Sequence, residues 1–332
     1  MRSVRWLKKE WFLLALFSMI LLASLWPALG RTGGLLHLDR LSNGGVALIF
    51  FMTGLGISLK ELGGGLLRWR AHLLVQLFTF AIFPLLGVGF TLLFARWLPA
   101  DLALGFAYLC ALPSTISSSI AMTAMARGNV PVAIFNATIS SLLGIVLTPA
   151  ILALTAHLSG HGSISFVNSV IKLGELVALP LLIGQVGRPL MGAWHHRHKH
   201  QTSNIDRMVI MGLVLGAFSD SVDAGLWRDY GVELLLEALA GSAILLVAAL
   251  WLTRFIAKQI QLPIEDEIAA VLCGSKKSMA TGIAMVKLLF GASTGLGLIV
   301  LPAMFYHQLQ LIACSILAGR YARRTETVPT SQ

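Results

Sequence analysis

The sequence predicts an all-α polytopic membrane protein with ten transmembrane helices, of which the fourth and the ninth are interrupted. Composition gives the class, because the 332 residues are 56% hydrophobic and only 12% charged, with a mean hydropathy of +0.80, whereas soluble globular chains carry about 25% charge. Two short polar segments inside apolar stretches predict the interruptions. A Gly-to-Pro motif that recurs in the second half predicts an internal duplication.

The spans follow from the lengths of the apolar segments, because a helix needs about 20 apolar residues to cross a hydrocarbon core of about 30 Å. They are placed at 11–29, 42–59, 71–95, 101–125, 130–157, 166–191, 205–221, 232–257, 266–290 and 293–318. The N-terminus resembles a signal peptide, but its apolar run of about 19 residues exceeds the usual 7–15, so we interpret it as a retained first span. The polar residues 321–332 are predicted to be a disordered cytoplasmic tail.

The basic residues give the orientation. With these spans, 17 of the 25 Lys and Arg residues lie on one side of the membrane or in the span ends that face it, four lie on the other side and four lie elsewhere within spans. An excess of Lys and Arg marks the cytoplasmic side, so both termini are predicted to be cytoplasmic. The formal charge of +10 is then explained by anionic lipid headgroups rather than nucleic acid. Since no targeting extension precedes the first span, a bacterial cytoplasmic (inner) membrane is expected.

An internal duplication is indicated by two similar segments. Span five contains GIVLTPA at 144–150 and span ten contains GLIVLPA at 297–303, with the same distance from Gly to Pro. Spans four and nine, which precede them, hold the polar interruptions. Because each copy has five spans, an odd number, the second copy must be inverted relative to the first, as in many secondary transporters. We predict one repeat at 1–160 and the other at 161–320.

The first interruption reads PSTISSS at 113–119 and places five hydroxyl residues in the six positions after Pro113. Proline removes a backbone donor and breaks the helix. A simple kink, with serines bonded back to the chain, is the alternative, but it does not require five hydroxyl groups. Irregular backbone persists in hydrocarbon only where it is buried in protein or lines a cavity. Ser117, Ser118 and Ser119 are therefore predicted to bind substrate or an ion.

The second interruption reads CGSKKS at 273–278, where Gly274 permits an irregular turn. Two lysines near the middle of a span cost about 2.5–3.5 kcal/mol each on insertion scales. Snorkelling is the alternative, but about ten residues separate the lysines from either helix end. A paired or cavity-facing role is therefore predicted, and adjacent residues can share one site only if the backbone is irregular. The candidate residues are Ser275, Lys276, Lys277 and Ser278.

Weaker candidates lie in spans three and five. Asn136 and Thr138 follow the first interruption closely, and Gln76 and Thr79 are three residues apart and hence on one helix face. An interhelical hydrogen bond is the alternative for each of them. The histidine-rich run at 195–200 could bind a metal ion, but its interleaved Arg and Lys favour a basic cytoplasmic loop.

Four segments together resemble the bile acid:sodium symporter superfamily, in particular its bacterial branch related to the vertebrate solute carrier 10 group. They are Leu112-Pro113 with the serine run, ARGNV at 126–130, LTPA at 147–150 and LCGSKKS at 272–278. The resemblance covers about Trp11 to Arg324. It implies two inverted five-helix repeats, unwound spans four and nine that cross at the centre, a panel domain that moves against a core domain, sodium ions near the crossing, and organic anions as substrates.

The chain departs from the family pattern where sodium would bind. The family's E-x-G-x-Q-N-S stands here as LCGSKKS, so that Leu272 replaces the sodium-binding carboxylate and Lys276 and Lys277 replace two amides. The family's Ser-Asn pair corresponds to the serines at 117–119, so the amide is lost.

Two further positions differ. The family's sodium-binding hydroxyls in span five align with alanines 133 and 137, beside Asn136 and Thr138. The family's glutamine in span three aligns with Thr79, one turn from Gln76.

We therefore predict a secondary active transporter of an organic anion that works by alternating access, and not an enzyme. Its partners are the lipid bilayer and the small anion, with no nucleic acid and no cofactor. Sodium, near Ser117, Ser118 and Ser119, or a proton is the candidate coupling ion. Sodium coupling is doubtful, because two ammonium groups repel a cation.

The role of the lysines is left open between two hypotheses. They occupy the space of the sodium ions, or they bind the anionic substrate directly. A lysine could also carry a coupled proton, because burial favours the neutral form. The alternatives from other classes are a channel or receptor, and an intramembrane hydrolase with a Ser-Lys dyad built on Ser275 or Ser278.

Overall fold

The structure is a computed structural model, and it describes residues 11–56, 67–94, 96–158, 171–172, 174–223, 225–290 and 295–324. These residues form twelve helices and no strand. In the first half they are α1 (Trp11–Leu25), α2 (Leu38–Gly56), α3 (Trp69–Leu93), α4 (Ala100–Ala111), α5 (Ser117–Met125) and α6 (Val130–Leu158). In the second half they are α7 (Gly174–Arg197), α8 (Lys199–Asp223), α9 (Leu226–Gln259), α10 (Ile264–Gly274), α11 (Met279–Phe290) and α12 (Leu296–Ala322).

Several of these helices are long and apolar enough to span a bilayer, which confirms the predicted membrane class. Within the described residues, length and composition identify five: Trp69–Leu93, Val130–Thr155, Gly174–Arg197, Gly231–Gln259 and Leu296–Ala322. They coincide with predicted spans three, five, six, eight and ten. Predicted spans four and nine are each divided in two, into α4 with α5 and α10 with α11.

The first predicted span is shorter as a helix than the sequence indicated. Helix α1 ends at Leu25, and a short 3₁₀ turn, Pro27–Leu29, follows it. Proline at the start of that turn has no N–H to continue the helical pattern. The predicted end at residue 29 is therefore four residues late for the α-helix.

The helices pack in two groups. Helix α8 packs on α1 and α2, and α2 packs on α7, whereas α3–α6 with α9–α12 form the larger group, which contains both interrupted pairs and which α8 also contacts through α12. Helices α2 and α7 approach closely at two glycines, because a Cβ on Gly54 would lie 3.1 Å from the Cα of Gly184. In the larger group, a Cβ on Gly105 of α4 would lie 2.8 Å from the Ile299 carbonyl of α12. Small residues at such positions let helix backbones approach closely. Such contacts matter in a membrane because no hydrophobic effect drives helices together in lipid.

A charged cluster lies at one end of the larger group. The first turn of α10 carries Glu265, Asp266 and Glu267, where carboxylates complement the helix dipole. Asp266 lies 3.6 Å from Arg68, and Glu267 lies 3.4 Å from Arg254. These two arginines come from sequence regions that the positive-inside analysis places on one side of the membrane, and the structure brings them together there.

The predicted tail begins too early. Helix α12 runs to Ala322, the buried Tyr321 hydroxyl donates to Glu267 at 3.0 Å, and Arg324 donates to the Ala126 carbonyl at 2.8 Å. Residues 321–324 therefore belong to the folded part, and the prediction is wrong for them. The rest of the predicted tail, 325–332, lies outside the described residues.

The histidine-rich run is also not the predicted loop. Helix α7 continues to Arg197 and α8 begins at Lys199, so the run forms two helix ends that meet at His198. The rings of Trp194 and His198 stack at 4.9 Å between centroids. Basic side chains suit the last turn of a helix, because they complement its negative end.

Candidate functional site at the crossing of two interrupted helices

The first interruption, residues 112–116, separates α4 from α5. Leu112 leaves the helix with an extended backbone (φ −66°, ψ 150°), which is the conformation that the following Pro113 favours. Side chains of α6 hold this segment, because Ser140 accepts from the Ser114 N–H at 2.9 Å and Thr148 donates to the Ala111 carbonyl at 2.9 Å. Buried helix ends require such partners.

The second interruption, residues 275–278, separates α10 from α11. Here α12 supplies the partners. The Tyr306 hydroxyl donates to the Ser275 carbonyl at 2.5 Å. The Gln310 side chain accepts from the Lys277 N–H and donates to the Lys277 carbonyl, both at 2.9 Å. One amide side chain thus replaces both backbone partners that Lys277 would have had in a continuous helix.

The two interruptions contact each other directly, as the resemblance implied. The Ser278 N–H donates to the Pro113 carbonyl at 2.9 Å, and the Ser114 hydroxyl donates to the Cys273 carbonyl at 2.6 Å. The Ser119 hydroxyl donates to the Leu272 carbonyl at 3.3 Å. Backbone groups released by one interruption are therefore satisfied by the other, which is how irregular backbone can persist within a membrane.

Lys277 is enclosed by acceptors. Its ammonium group donates to the carbonyls of Cys110 at 2.7 Å, Leu112 at 2.8 Å and Thr79 at 2.9 Å. Its Nζ also lies 4.3 Å from the centroid of the Phe83 ring, a cation–π distance. The residue is 1% exposed. An ammonium group has three donors, and three carbonyls take all of them.

Lys276 points in another direction and is less completely bound. Its ammonium group lies 2.8 Å from the Ser118 carbonyl and 2.9 Å from the Met122 sulfur, both on α5. A thioether is a weak acceptor, so among the described residues one good acceptor serves three donors. Lys276 is 0% exposed. Because the backbone is irregular here, the two neighbouring lysines reach different helices. Of the two predicted roles, the paired one applies: each ammonium group contacts acceptors of the protein, and within the part of the chain that the structure describes neither faces an open cavity.

The hydroxyl residues of the first interruption divide into buried and accessible ones. Ser119 is buried, Ser118 is half-buried and Ser117 is exposed. The Thr115 hydroxyl shares hydrogen bonds with those of Ser118, at 2.8 Å, and Ser119, at 2.9 Å. The hydroxyl residues at the start of α5 therefore range from exposed Ser117 to buried Ser119.

Ser275 and Ser278 bond locally. The Ser275 hydroxyl donates to the Val271 carbonyl at 2.6 Å, and the Ser278 hydroxyl donates to Thr281 at 2.9 Å. Both lysine ammonium groups bond elsewhere, as described above. The geometry therefore gives no Ser-Lys dyad among these four residues.

Asn136 and Gln76 form a second polar cluster between α3 and α6. The Gln76 amide donates to the Asn136 side-chain oxygen at 3.1 Å, and the Asn136 amide lies 2.9 Å from Nδ1 of His72. The Gln76 carbonyl oxygen is buried without a hydrogen-bond partner among the described residues. These contacts join Asn136 and Gln76 to each other and to His72, and none of them reaches the lysines.

Thr79 and Thr138 are buried. The hydroxyl of Thr79 has no hydrogen-bond partner among the described residues, and its carbonyl is the group that contacts Lys277. Thr79 therefore contacts the crossing through its backbone carbonyl, whereas the prediction was based on its side chain.

Three residues that bind the interruptions were not among the predicted site residues, one on α6 and two on α12: Thr148, Tyr306 and Gln310. Tyr306 and Gln310 are four residues apart and so share a helix face, a signal that the sequence contains. Phe83 offered none, because an aromatic residue in a span is ordinarily a packing residue.

The residues present do not fit a sodium site built like that of the family. Neither 112–119 nor 272–278 contains an Asp or Glu, and the Ser118 carbonyl is taken by the ammonium group of Lys276. Within the described residues, no group of three or more His, Cys, Asp and Glu side chains could hold a metal ion. The positive charge at the crossing is that of the Lys276 and Lys277 ammonium groups.

Comparison with known proteins gives consistent matches over nearly the whole chain. The sequence model of the SBF-like CPA transporter family matches residues 10–323. An uncharacterized protein of Pseudomonas aeruginosa is 41% identical over 315 residues, covering 95% of this chain and 93% of the relative. The protein of Escherichia coli named "Putative symporter YfeH" is 40% identical over 327 residues, covering 97% and 95%.

A vertebrate relative extends the match. Sodium/bile acid cotransporter 7 of Mus musculus is 31% identical over 323 residues, covering 96% of this chain and 94% of the relative. Together these matches support a multi-pass membrane transporter and not an enzyme. The chain belongs to the SBF-like CPA transporter family, within the bile acid:sodium symporter superfamily.

Proposed function

We propose that this protein is a secondary active transporter that moves a small organic anion across the membrane by alternating access. The observation that carries this proposal is the crossing of two interrupted helices with two lysines at the point of contact. Discontinuous helices at matching places in two halves mark the binding site in many transporters, and fixed positive charge suits an anion. The mouse relative is named as a sodium/bile acid cotransporter, which agrees with an anionic substrate.

The proposed architecture has ten spans in two inverted repeats, 1–160 and 161–320. It is supported by the corresponding roles of α6 and α12, each of which follows an interrupted pair and holds its interruption through polar side chains. The repeated Gly and Pro lie in these two helices. The extensive packing of α2 on α7 and of α8 on α1 and α2, outside the group that holds both interruptions, supports a panel that moves against a core.

The anion contacts Lys276 in this proposal. Lys277 has all three donors bound to carbonyls, whereas Lys276 has one oxygen acceptor and one sulfur contact among the described residues. Ser118, whose carbonyl binds this ammonium group, is half-buried, and its neighbour Ser117 is exposed. A carboxylate that enters along these hydroxyls would provide Lys276 with a charge-assisted hydrogen bond.

Transport does not require sodium in this proposal, because the ammonium groups already provide positive charge at the crossing. The bond of Lys276 to the Ser118 carbonyl places an ammonium group beside Ser117, Ser118 and Ser119, where sodium would have bound. A proton is the alternative coupling ion. Lys276 is its candidate carrier, since neutral Lys277 would lack a donor for one of its three carbonyls.

The proposed location is a bacterial cytoplasmic membrane with both termini in the cytoplasm. The contacts of Arg68, Arg254 and Arg324 with the first turn of α10 support a single side for these basic residues. The positive-inside rule identifies that side as cytoplasmic.

Two experiments test this function. A thermal-shift screen of organic anions on the purified protein identifies the substrate class, because a ligand that binds the folded state raises its apparent stability. Counterflow in proteoliposomes with the identified anion then follows. Saturable counterflow is expected, whereas a flux that never saturates would indicate the channel alternative, and binding without flux would indicate a receptor.

A further inference from the structure

We infer that the fold contains a site for a monovalent cation and that this chain fills the site permanently with the ammonium group of Lys277. The site consists of the backbone carbonyls of Thr79, Cys110 and Leu112 together with the ring of Phe83. Its ligand class is a univalent, weakly hydrated cation such as ammonium or potassium. The inference does not depend on the transported substrate.

The carbonyls converge because two helices are irregular at one place. Thr79 lies in the π-helical stretch of α3, Phe78–Ile82, and Cys110 and Leu112 lie at the end of α4. The last carbonyls of a helix have no partner within it and lie at its negative end. The site is therefore a property of the backbone, and it would remain if the lysine side chain were removed.

The geometry is that of a bound cation. Three oxygens lie 2.7–2.9 Å from one point, and the face of Phe83 closes another side at 4.3 Å. Rings of backbone carbonyls replace the hydration shell of monovalent ions in other membrane proteins, and aromatic faces attract cations. Since all three oxygen ligands are neutral, a divalent ion would lack the charge compensation it requires.

The site needs an occupant. Buried carbonyls without partners cost free energy, and Cys110, Leu112 and Phe83 are buried. Replacing Lys277 by alanine removes the cation and most of the side chain, which leaves room among the same oxygens. A free cation of similar size should then bind.

The test is the thermal stability of Lys277→Ala in matched concentrations of choline, sodium, potassium or ammonium chloride. Lys276→Ala is the control, because it removes the neighbouring ammonium group and leaves the three-carbonyl site filled. Lys277→Met is a second control, because its apolar side chain occupies the space. All variants are purified as full-length protein in the same detergent.

We expect Lys277→Ala to be destabilised in choline and to recover in ammonium or potassium chloride. At a cation concentration one hundred times the dissociation constant, the ratio of folded to unfolded protein should rise about a hundredfold. Wild type and both controls should respond equally to all four salts. If Lys277→Ala does not fold in choline, its recovery only when prepared in ammonium or potassium also supports the site.

Three results would overturn the inference. The first is a response of Lys277→Ala to the salts that equals that of Lys276→Ala. The second is failure of Lys277→Ala to fold in every salt. The third is a Lys277→Met protein as stable as wild type in choline, because it would show that the three carbonyls need no cation.

Discussion

The two interruptions meet at one place but are satisfied by different chemistry. The first, at 112–116, together with the first turn of α5, donates through the uncharged hydroxyls of Ser114 and Ser119. The second, at 275–278, donates through two ammonium groups and one backbone N–H. The first half of the chain therefore supplies the carbonyl groups that accept hydrogen bonds from the lysines. The second half supplies the positively charged ammonium groups. If the two halves are repeats, as we propose, they differ in charge at the place where they meet, and the site there is positive.

The largest effect should come from the charged side of this comparison. Replacing Lys277 by methionine leaves the Thr79, Cys110 and Leu112 carbonyls buried without donors. Each buried acceptor that is left without a donor costs about 1–3 kcal/mol, so three such carbonyls should cost at least about 3 kcal/mol. The free energy of unfolding in denaturant should fall by about that amount. An unchanged value would mean that the ammonium group contributes little to the fold.

Lys276→Met should affect transport more than stability. The ammonium group has a single oxygen acceptor among the described residues, so its loss removes a substrate contact in our proposal. A charge-assisted hydrogen bond of about 1.5–3 kcal/mol corresponds to a loss of about 10- to 150-fold in the apparent affinity for the anion. Binding and counterflow measure this loss.

The matched control for Lys276→Met is Lys258→Met, which removes an exposed lysine at the end of α9. It should leave anion affinity within about twofold of wild type, because exposed charges have little effect on affinity at moderate salt. Equal losses in both variants would attribute the effect to overall charge and remove Lys276 from the site.

Tyr306→Phe tests the support that α12 gives to the second interruption. The variant keeps the ring and removes the donor to the Ser275 carbonyl, which is buried. An unsatisfied buried acceptor costs about 1–3 kcal/mol, so the midpoint of denaturation should fall accordingly. Phe305→Leu on the same helix removes no hydrogen bond to the interruption. A Tyr306→Phe protein no less stable than Phe305→Leu would show that this tether is unnecessary.

Ser114→Ala should have the smallest effect, because it removes one neutral hydrogen bond from the uncharged side. The Ser114 hydroxyl donates to the Cys273 carbonyl, and a net loss of about 1 kcal/mol is expected. The free energies of unfolding of Ser114→Ala and Lys277→Met, measured under the same conditions, compare the contributions of the uncharged and the charged interruption. If the two variants lose equal stability, the comparison between the interruptions is wrong.

The sequence predicted the helical membrane class and the two interruptions well, because both depend on local signals. Pro113 and Gly274 with the adjacent polar runs marked places where a helix could not continue in lipid. It also predicted that the neighbouring lysines could serve one region only through irregular backbone, which the structure has at 275–278.

The partners of the lysines could not be predicted, because they are backbone carbonyls. Every residue has a carbonyl, so no residue type at Thr79, Cys110 or Leu112 indicates that its oxygen is free. That depends on a π-helical stretch in α3 and on the end of α4, which are tertiary features. The folded position of Arg324 was missed for a related reason, since its acceptors include the Ala126 and Arg127 carbonyls nearly two hundred residues away in sequence.

The most direct test of the account is the ion dependence of anion counterflow in proteoliposomes. An anion identified by the thermal-shift screen would be measured with sodium on both sides and again with choline replacing sodium. Because Lys276 and Lys277 already place positive charge at the crossing, we predict equal saturable rates in the two media. A rate that disappears in choline and returns with sodium would contradict the claim that the chain supplies this charge itself.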